Sequence, residues 1–290
     1  MDYITTLING LSLGGIYAMI ALGYTMVYGI AKMLNFAHGD IIMVGGYTIL
    51  VFMNMTGNPI LAIAAAVVFC MILGIVIEKV AYKPLRGASP LAVLITAIGV
   101  SYLLQSVFQI IFGSAPKMVI IADMGSVEFW GLKIPVHTIV TLACSVVVMI
   151  ALSLFVKYSK TGRAMIATSE DKAATQLMGI NVNKIITITF AIGSALAALA
   201  GLFYLLKAPT ISNTFGSMPG IKAFTAAVIG GIGSIPGAML GGILLGIIEC
   251  FAFKIEAIAP YTDAIEFGIL IIILLVKPNG ILGKKRREKV

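Results

Sequence analysis

The stretch KYSKTGRAMIATSEDKAATQLMGINVNK, residues 157–184, is the longest polar interruption in the chain. Apolar runs at 136–156 and 185–206 flank it. Each run is close to the roughly 20 residues that a helix needs to cross a bilayer. A polar segment between two such runs belongs at a membrane face. The stretch therefore predicts a helical membrane protein with a large polar loop, residues 157–184, available for contact with a partner.

The middle of this loop predicts one short helix. Residues 168–171 supply cap-forming oxygens and first-turn acids, a helix-forming run follows at 172–178, and Gly179 offers a left-handed stop. The spacing of Thr168 and Asp171 fits a capping box. The helix carries a small apolar face made of Ala173, Ala174, Leu177 and Met178. Such a face invites docking, whereas the alternative is a solvated loop with a stray helical turn.

Composition places the whole chain in the membrane. Of 290 residues, 60% are hydrophobic and 11% are charged, whereas soluble domains are about 25% charged. Apolar stretches near spanning length recur and period-2 alternation does not, which favours helices over a barrel. No basic segment or small-residue cleavage site accompanies the first apolar run, so we expect no signal peptide. We expect one membrane domain over 1–290.

The apolar runs predict an all-α, polytopic fold with eight to nine transmembrane helices. The runs lie at 7–30, 41–53, 60–77, 91–112, 136–156, 185–206, within 212–251, and at 264–276. The run at 41–53 is short, and 212–251 divides into a short and a full segment. Counting every segment as a crossing gives nine spans with the N-terminus outside, and counting one as re-entrant gives eight.

Charge predicts the orientation. Fourteen of the 20 Lys and Arg residues lie at 79–86, 157–184 and 277–290. By the positive-inside rule these segments, including the C-terminus, are cytoplasmic. The net charge of +8 is thereby explained without nucleic acid. The basic tail at 284–287 is an anchor for this topology, or a contact with anionic lipid.

Two interruptions of the helical pattern are candidate functional sites. The first, KMLNFAHGD at 32–40, contains the candidates for a substrate path, which are Asn35, Phe36, His38, Gly39 and Asp40. Polar groups beside a broken helix can bind a zwitterion or an ion once they face a cavity. If the break instead lies at a membrane surface, Lys32 and Asp40 are ordinary flanking charges. By the same reasoning Glu249 and Glu266, near span ends, are expected to be interfacial.

The second interruption, GGIGSIPG at 230–237, predicts a short helix, a tight break and a full helix. Half-helices of this kind occur in transporters where irregular backbone is shielded by protein or lines a cavity. The residues of this broken helix are Gly230, Gly231, Gly233, Pro236 and Gly237.

Catalytic and metal-binding motifs are missing from the sequence. There is no phosphate-binding G-x-x-x-x-G-K-[ST] loop, no H-E-x-x-H, no G-x-S-x-G and no cluster of Cys and His. We therefore expect no enzyme, no ATP hydrolysis by this chain and no metal site. A self-sufficient secondary transporter or channel remains the alternative, although a voltage sensor and a potassium filter are both absent.

Three blocks of the sequence closely resemble branched-chain amino acid ABC transporter permeases. They are NGLSLGGIYAMIALGYTMVYGIAKMLNFAHGDIIMVGGY at 9–47, TGRAMIATSEDKAATQLMGINVNK at 161–184 and AFTAAVIGGIGSIPGAMLGGILLG at 223–246. The resemblance covers nearly the whole chain and implies the ABC importer permease fold. One departure is Ile166, where the family often has a basic residue.

The resemblance implies a role as the first permease of a high-affinity importer in the cytoplasmic (inner) membrane of a prokaryote. Its partners would be a second homologous permease, two cytoplasmic ATPases that bind ATP and Mg, an extracytoplasmic amino-acid-binding protein and membrane lipid. This chain itself would bind no cofactor. The cargo would be leucine, isoleucine and valine, with urea or short amides as alternatives.

The same resemblance implies that the block from Gly162 to Gly179 couples the permease to an ATPase. The coupling residues it indicates are Gly162, Arg163, Ala164, Ser169, Glu170, Asp171, Ala173, Ala174, Leu177, Met178 and Gly179.

Overall fold

The structure is a computed structural model and describes residues 2–122, 124–129 and 132–283. Within these residues, eight helical segments are long and apolar enough to cross a membrane. In chain order the helices are α1 (Asp2–Ala31), α2 (His38–Thr56), α3 (Pro59–Ile77), α4 (Pro90–Phe112), α5 (Val136–Tyr158), α6 (Lys160–Glu170), α7 (Lys172–Leu177), α8 (Val182–Lys207), α9 (Ser217–Gly230), α10 (Ile235–Lys254) and α11 (Thr262–Val276). The eight segments are all of these except α6, α7 and α9. The predicted all-α polytopic fold is confirmed.

Helix boundaries follow from local signals. Gly57, with a φ of 62°, ends α2 in the left-handed conformation that glycine adopts without strain. Asn58 then caps α3 by accepting hydrogen bonds from two backbone N–H groups, and Pro59 fills the first turn. Ser89 caps α4 ahead of Pro90 by accepting one hydrogen bond, from the Ala92 N–H. These caps turn the chain sharply between consecutive spans.

Two small antiparallel sheets lie at one end of the bundle. Strand β1 (Lys117–Met118) pairs with β4 (Thr210–Ile211), and β2 (Ser126–Phe129) forms a hairpin with β3 (Leu132–Pro135). The sequence did not predict them. We call this end the hairpin face. The opposite end, which carries residues 78–86 and the loop 157–184, is called the basic face. The basic tail at 284–290 lies outside the described residues.

The centre of the bundle is formed by α1, α2 and α8, whereas α4 and α11 are largely exposed apolar helices. Small residues bring α1 and α10 together in antiparallel order, as Gly10 and Gly14 face Gly242 and Gly246. A Cβ atom at Gly242 would overlap the backbone of Ala18. Small residues permit such close approach between helices in a membrane. The α1–α10 contact is therefore made largely backbone against backbone.

Helix α2 is longer than the run at 41–53 predicted. It begins at His38 and extends to Thr56, which is 19 residues. The prediction fell short because the helix starts with polar residues that the apolar signal excludes. His38 and Asp40 are 1% and 2% exposed, respectively, so they lie inside the protein despite their polarity.

Candidate functional site

The first helix break lies inside the bundle. Helix α1 ends at Ala31, Lys32 adopts a φ of 61°, and residues 32–37 form no regular helix before α2 begins at His38. The His38 ring lies against Gly23, about two turns back from the end of α1. The chain therefore returns into the bundle before α2 starts. Among residues 32–40, only Lys32 is exposed. The interpretation of Asp40 as a surface flanking charge is therefore wrong.

Side chains from distant helices hold this break. Tyr82 donates a hydrogen bond of 2.8 Å to Asn35 Oδ1. Gln105 on α4 donates a hydrogen bond of 2.8 Å to Asp40 Oδ1 and also reaches Ser217 of α9 at 3.4 Å. The carboxylate of Asp40 thus lies where α2, α4 and α9 meet. A buried charge of this kind is stabilised by its hydrogen-bond donors.

The other path candidates are close to the same place. The His38 ring packs edge-on against the Tyr24 ring with centroids 4.7 Å apart. The ring centroids of Phe36 and Phe224 are 5.6 Å apart. A Cβ atom at Gly39 would overlap the backbone of Gly216. The structure therefore brings all five candidates together. The crevice that Asn35 borders is too narrow for a water molecule. Asn35, His38, Gly39 and Asp40 are buried in this conformation, and Phe36 is half-buried.

The second break is held by its backbone. Gly231 and Gly233 adopt φ values of 110° and 93°, which side chains disfavour. Gly230 and Gly237 pack backbone against backbone across the turn between α9 and α10. The N–H groups of Ile281 and Leu282 donate hydrogen bonds of 2.8 and 2.9 Å to carbonyls at the end of α9. The segment contains the short helix, the break and the full helix that its glycine pattern predicts.

An ionic cluster that is buried except at Asp263, and that the sequence did not reveal, joins α9 to α10, α11 and α1. We call it the Lys222 cluster. Its members are Lys222, Glu249, Asp263, Glu266 and Tyr17. The Lys222 ammonium lies 3.0 Å from Glu249, 2.8 Å from Asp263 and 3.3 Å from Glu266. Tyr17 donates a hydrogen bond of 2.7 Å to Glu249.

Glu249 and Glu266 lie near helix ends, as the sequence suggested, but they are inside the protein. Glu249 is 7% exposed, Glu266 is fully buried, and both approach Lys222. Ionisable groups within membrane helices usually face the bundle interior and pair with one another. Lys222, isolated among apolar and small residues, was the sequence signal that such a partner exists.

The loop at 157–184 contains two helices instead of one. Ser159 caps α6 by accepting a hydrogen bond of 2.8 Å from the Gly162 N–H. Asp171 caps α7, accepting bonds of 2.9 and 3.0 Å from the N–H groups of Ala173 and Ala174. Thr168 lies inside α6, where its hydroxyl donates to the Ala164 carbonyl. The Thr168–Asp171 capping box is therefore wrong, because α6 continues through Thr168.

The base of this loop is attached to the bundle. Gly162 packs directly against the backbone at Phe155 and Val156. Lys172 Nζ donates a hydrogen bond of 3.0 Å to the carbonyl of Ala31, the last residue of α1. Burial of the ammonium group, and then the nearby Arg86 charge, hold the pKa of Lys172 below its usual value. Lys172 thus links the loop directly to the first helix break.

The tip of the loop projects from the basic face. Leu177 is 89% exposed and Met178 is 81% exposed. Ala173 and Ala174 are also exposed, as are Arg163 and Glu170 of α6. Ala164 and Ser169 are half-buried. Gly179 ends the segment with a φ of 78°. We call residues 160–179 the coupling segment, because they include the block from Gly162 to Gly179 that the resemblance predicts to couple the permease to an ATPase.

A second attachment on the basic face involves Glu78. This fully buried carboxylate pairs with Arg86 and accepts a hydrogen bond of 2.8 Å from Thr187 on α8. Arg86 also donates to Asn183 near the start of α8. The turn after α3 is thereby tied to the helix that follows the coupling segment.

These features define a polytopic membrane protein with an exposed helical segment on one face and two helix breaks, the first of them inside the bundle. Residues 6–274 match the family model described as "Branched-chain amino acid transport system / permease component". The chain belongs to this family, as the resemblance predicted.

Three relatives illustrate the range of similarity. The high-affinity branched-chain amino acid transport system permease protein BraD of Pseudomonas aeruginosa is 44% identical over 302 residues, covering 99% of this chain and 98% of the relative. LivH of Escherichia coli K12, which carries the same description, is 41% identical over 304 residues, with the same coverage. The ribose import permease RbsC of Escherichia coli K12 is 24% identical, covering 95% of this chain and 86% of the relative.

Proposed function

We propose that this chain is a permease subunit of an ATP-binding-cassette importer that moves leucine, isoleucine and valine across the cytoplasmic membrane of a prokaryote. The observation that carries the proposal is similarity of 41–44% over nearly the whole length to permeases named for high-affinity branched-chain amino acid transport. Ribose appears in the name of a relative at only 24% identity. We therefore infer the cargo from the two relatives at 41–44% identity.

The coupling segment supports a role for a cytoplasmic ATPase. Leu177 and Met178 end a capped helix and expose nearly all of their apolar surface. Exposed apolar side chains on a rigid helix are suited to fill a groove of a partner, where a few such residues dominate the binding energy. In this proposal the partner is one of two ATPases, which bind ATP and Mg, and this chain binds no cofactor.

The attachments of the segment support a mechanical link. Closure of the ATPase pair would displace α7, and the Lys172 to Ala31 hydrogen bond would carry that displacement to the end of α1. Gly162 would carry it to the end of α5. ATP binding shifts the conformational equilibrium only by its differential affinity for the two states. The break with Asn35, His38 and Asp40 lies next to Ala31 and is the part of the substrate path placed to respond.

The proposed assembly contains a second, homologous permease and an extracytoplasmic amino-acid-binding protein. Basic residues concentrate on the face that bears the coupling segment, which supports a cytoplasmic location for that face and for the C-terminus. The hairpin face would then receive the binding protein.

Uptake by the complete assembly tests the proposal. Vesicles containing this chain, the neighbouring permease, both ATPases and the binding protein are supplied with labelled leucine, valine or urea, with and without internal ATP. We expect ATP-dependent uptake of leucine and valine that disappears without the binding protein. Uptake of urea alone would change the cargo. ATP-independent flux through this chain alone would replace the importer with a secondary transporter or channel.

Leu177→Asp tests the coupling segment. The charged side chain prevents burial in an ATPase groove, and hot-spot losses of at least about 2 kcal/mol predict a fall in uptake of roughly 30-fold. Gln176→Asp adds the same charge at the neighbouring exposed position, about 100° around α7, without removing an apolar side chain, and is the matched control. Both variants are expected to insert normally. Normal uptake by Leu177→Asp with the ATPases assembled would reject the docking role.

A further inference from the structure

A cavity of about 470 Å³ lies on the hairpin face, where the first turns of α1 and α5 meet the last turns of α8 and α10. Sites for small molecules typically occupy ~300–1,000 Å³. Lys207 and Phe253 at its edge are exposed, so the cavity opens to the surface. It is separate from both helix breaks and from the coupling segment.

The charged side chains that line the cavity are basic. Lys207 at the end of α8 and Lys254 at the end of α10 line it, together with His137. None of the described residues that line it is acidic. Lys254 Nζ is buried and donates no hydrogen bond to any described residue. It lies 3.7 Å from the centre of the Tyr3 ring. A buried ammonium group without a hydrogen-bond acceptor favours an anionic ligand.

The rest of the lining is divided between hydrogen-bonding and apolar groups. Asn9 and Thr138 contribute an amide and a hydroxyl, at 3.5 Å from each other. Ile16 and Phe253 contribute apolar surface. The cavity therefore offers cations, neutral polar groups and apolar contacts within one small volume. That combination fits a small molecule with a carboxylate at one end and a hydrocarbon side chain at the other.

We propose that this cavity binds a free aliphatic amino acid through its carboxylate. Lys207 binds the carboxylate and the buried charge of Lys254 adds to the attraction. The oxygens of Asn9 and Thr138 are available to accept hydrogen bonds from the ammonium group, and the apolar wall accommodates the side chain. The inference rests on the proposed function, because it assigns the cavity to the importer's own class of cargo. A cavity on the face opposite the coupling segment is placed to receive cargo before it reaches the closed first break.

Cys250 lines the cavity and provides a direct chemical probe. The complete assembly is placed in phosphatidylcholine nanodiscs and treated with an anionic sulfonatoethyl or a cationic trimethylammonioethyl methanethiosulfonate. Mass spectrometry of the Cys250 peptide gives each rate relative to a free thiol. Because clefts lined by one sign of charge concentrate counter-ions by ~10-fold or more, we expect at least about a tenfold preference for the anionic reagent.

Ligand protection makes the test specific. Leucine should slow modification of Cys250 but not of Cys144, and leucinamide, which lacks the carboxylate, should not. The double variant Lys207→Gln/Lys254→Gln should lose the anionic preference and the protection. The double variant Lys207→Arg/Lys254→Arg keeps the positive charge and should retain both the anionic preference and the protection by leucine. Comparing the two double variants separates loss of charge from loss of fold.

The outcomes divide cleanly. Leucine uptake without leucine protection of Cys250 would overturn the cavity site and leave the proposed function standing, as would a Cys250 that neither reagent reaches. An assembly that imports no branched-chain amino acid would reject the proposed function first. If phosphatidylglycerol abolishes the anionic preference and leucine gives no protection, the anion is a lipid phosphate and the amino-acid site is wrong.

Discussion

The two helix breaks of this protein are held by different means. Between α1 and α2, the conformation depends on side chains from other helices, because Tyr82 and Gln105 donate to Asn35 and Asp40. Between α9 and α10, it depends on glycine backbone packed against glycine backbone and on main-chain hydrogen bonds from the segment after α11. The first break therefore relies mainly on exchangeable side-chain contacts, with one close backbone contact between Gly39 and Gly216, whereas the second relies on steric fit and main-chain hydrogen bonds.

This difference indicates which break can move. A hydrogen bond between side chains contributes about 1 kcal/mol and can be exchanged for another as helices shift. A backbone contact that leaves no room for a Cβ atom has no alternative arrangement of similar packing. The first break is also the one that Lys172 links to the coupling segment. We therefore expect the first break to rearrange and the second to move as a rigid hairpin.

Gly230→Val should have the largest effect. The new side chain would overlap the backbone of Gly237 and separate α9 from α10, and overpacking of this kind typically costs at least ~1–3 kcal/mol. We expect little monodisperse protein in size-exclusion chromatography after detergent extraction. Gly99→Val on α4, where a Cβ atom meets nothing within 4 Å, is the matched control. Equal yields of the two variants would show that the second break is not sterically fixed.

Lys222→Met should have the next largest effect. It leaves the carboxylates of Glu249 and Glu266 buried without their cation, and breaking a buried ion pair in this way costs ~3–5 kcal/mol. Thermal unfolding in detergent should shift to clearly lower temperature. Adding Glu266→Gln removes one excess negative charge and should restore part of the loss. If Lys222→Met unfolds like the unmodified chain, the cluster does not secure α9.

Tyr82→Phe should have the smallest effect on stability. The ring keeps its packing against Phe190, 5.4 Å between centroids, and only the hydrogen bond to Asn35 is lost, which costs ~1 kcal/mol. Uptake should fall while the unfolding temperature changes little, because we expect the first break to rearrange during transport. Tyr102→Phe, at a 65% exposed position on α4, is the control. A large fall in unfolding temperature with unchanged uptake would show that the first break is a rigid element and not the one that rearranges.

Local chemistry made much of the fold predictable. The glycines and the proline at 230–237 predict a break in the helix whatever the surrounding fold, because their backbone preferences are intrinsic. The helical spans follow from the length of each apolar run. Gly179 was expected to stop a helix, and it adopts the left-handed conformation. These features depend on neighbours in sequence, which the sequence itself displays.

Features that depend on distant residues were not predictable. Glu249 looked interfacial because its partners Tyr17 and Lys222 lie on other helices, Tyr17 at a separation of 232 residues. Thr168 and Asp171 both had suitable cap chemistry, and the choice depended on how far α6 extends. The cavity at Lys207 and Lys254 requires four helix ends to converge. Each of these outcomes is decided by packing between elements.

The glycine contact between α1 and α10 has a mechanical consequence for the transport cycle. Two helices that touch through their backbones cannot slide by a fraction of a turn, since each glycine is matched to one position on its neighbour. The pair of α1 and α10 therefore forms a rigid frame across the membrane. If an ATPase drives the coupling segment, as proposed, we expect displacement of the helices that meet this frame through side chains, above all the start of α2.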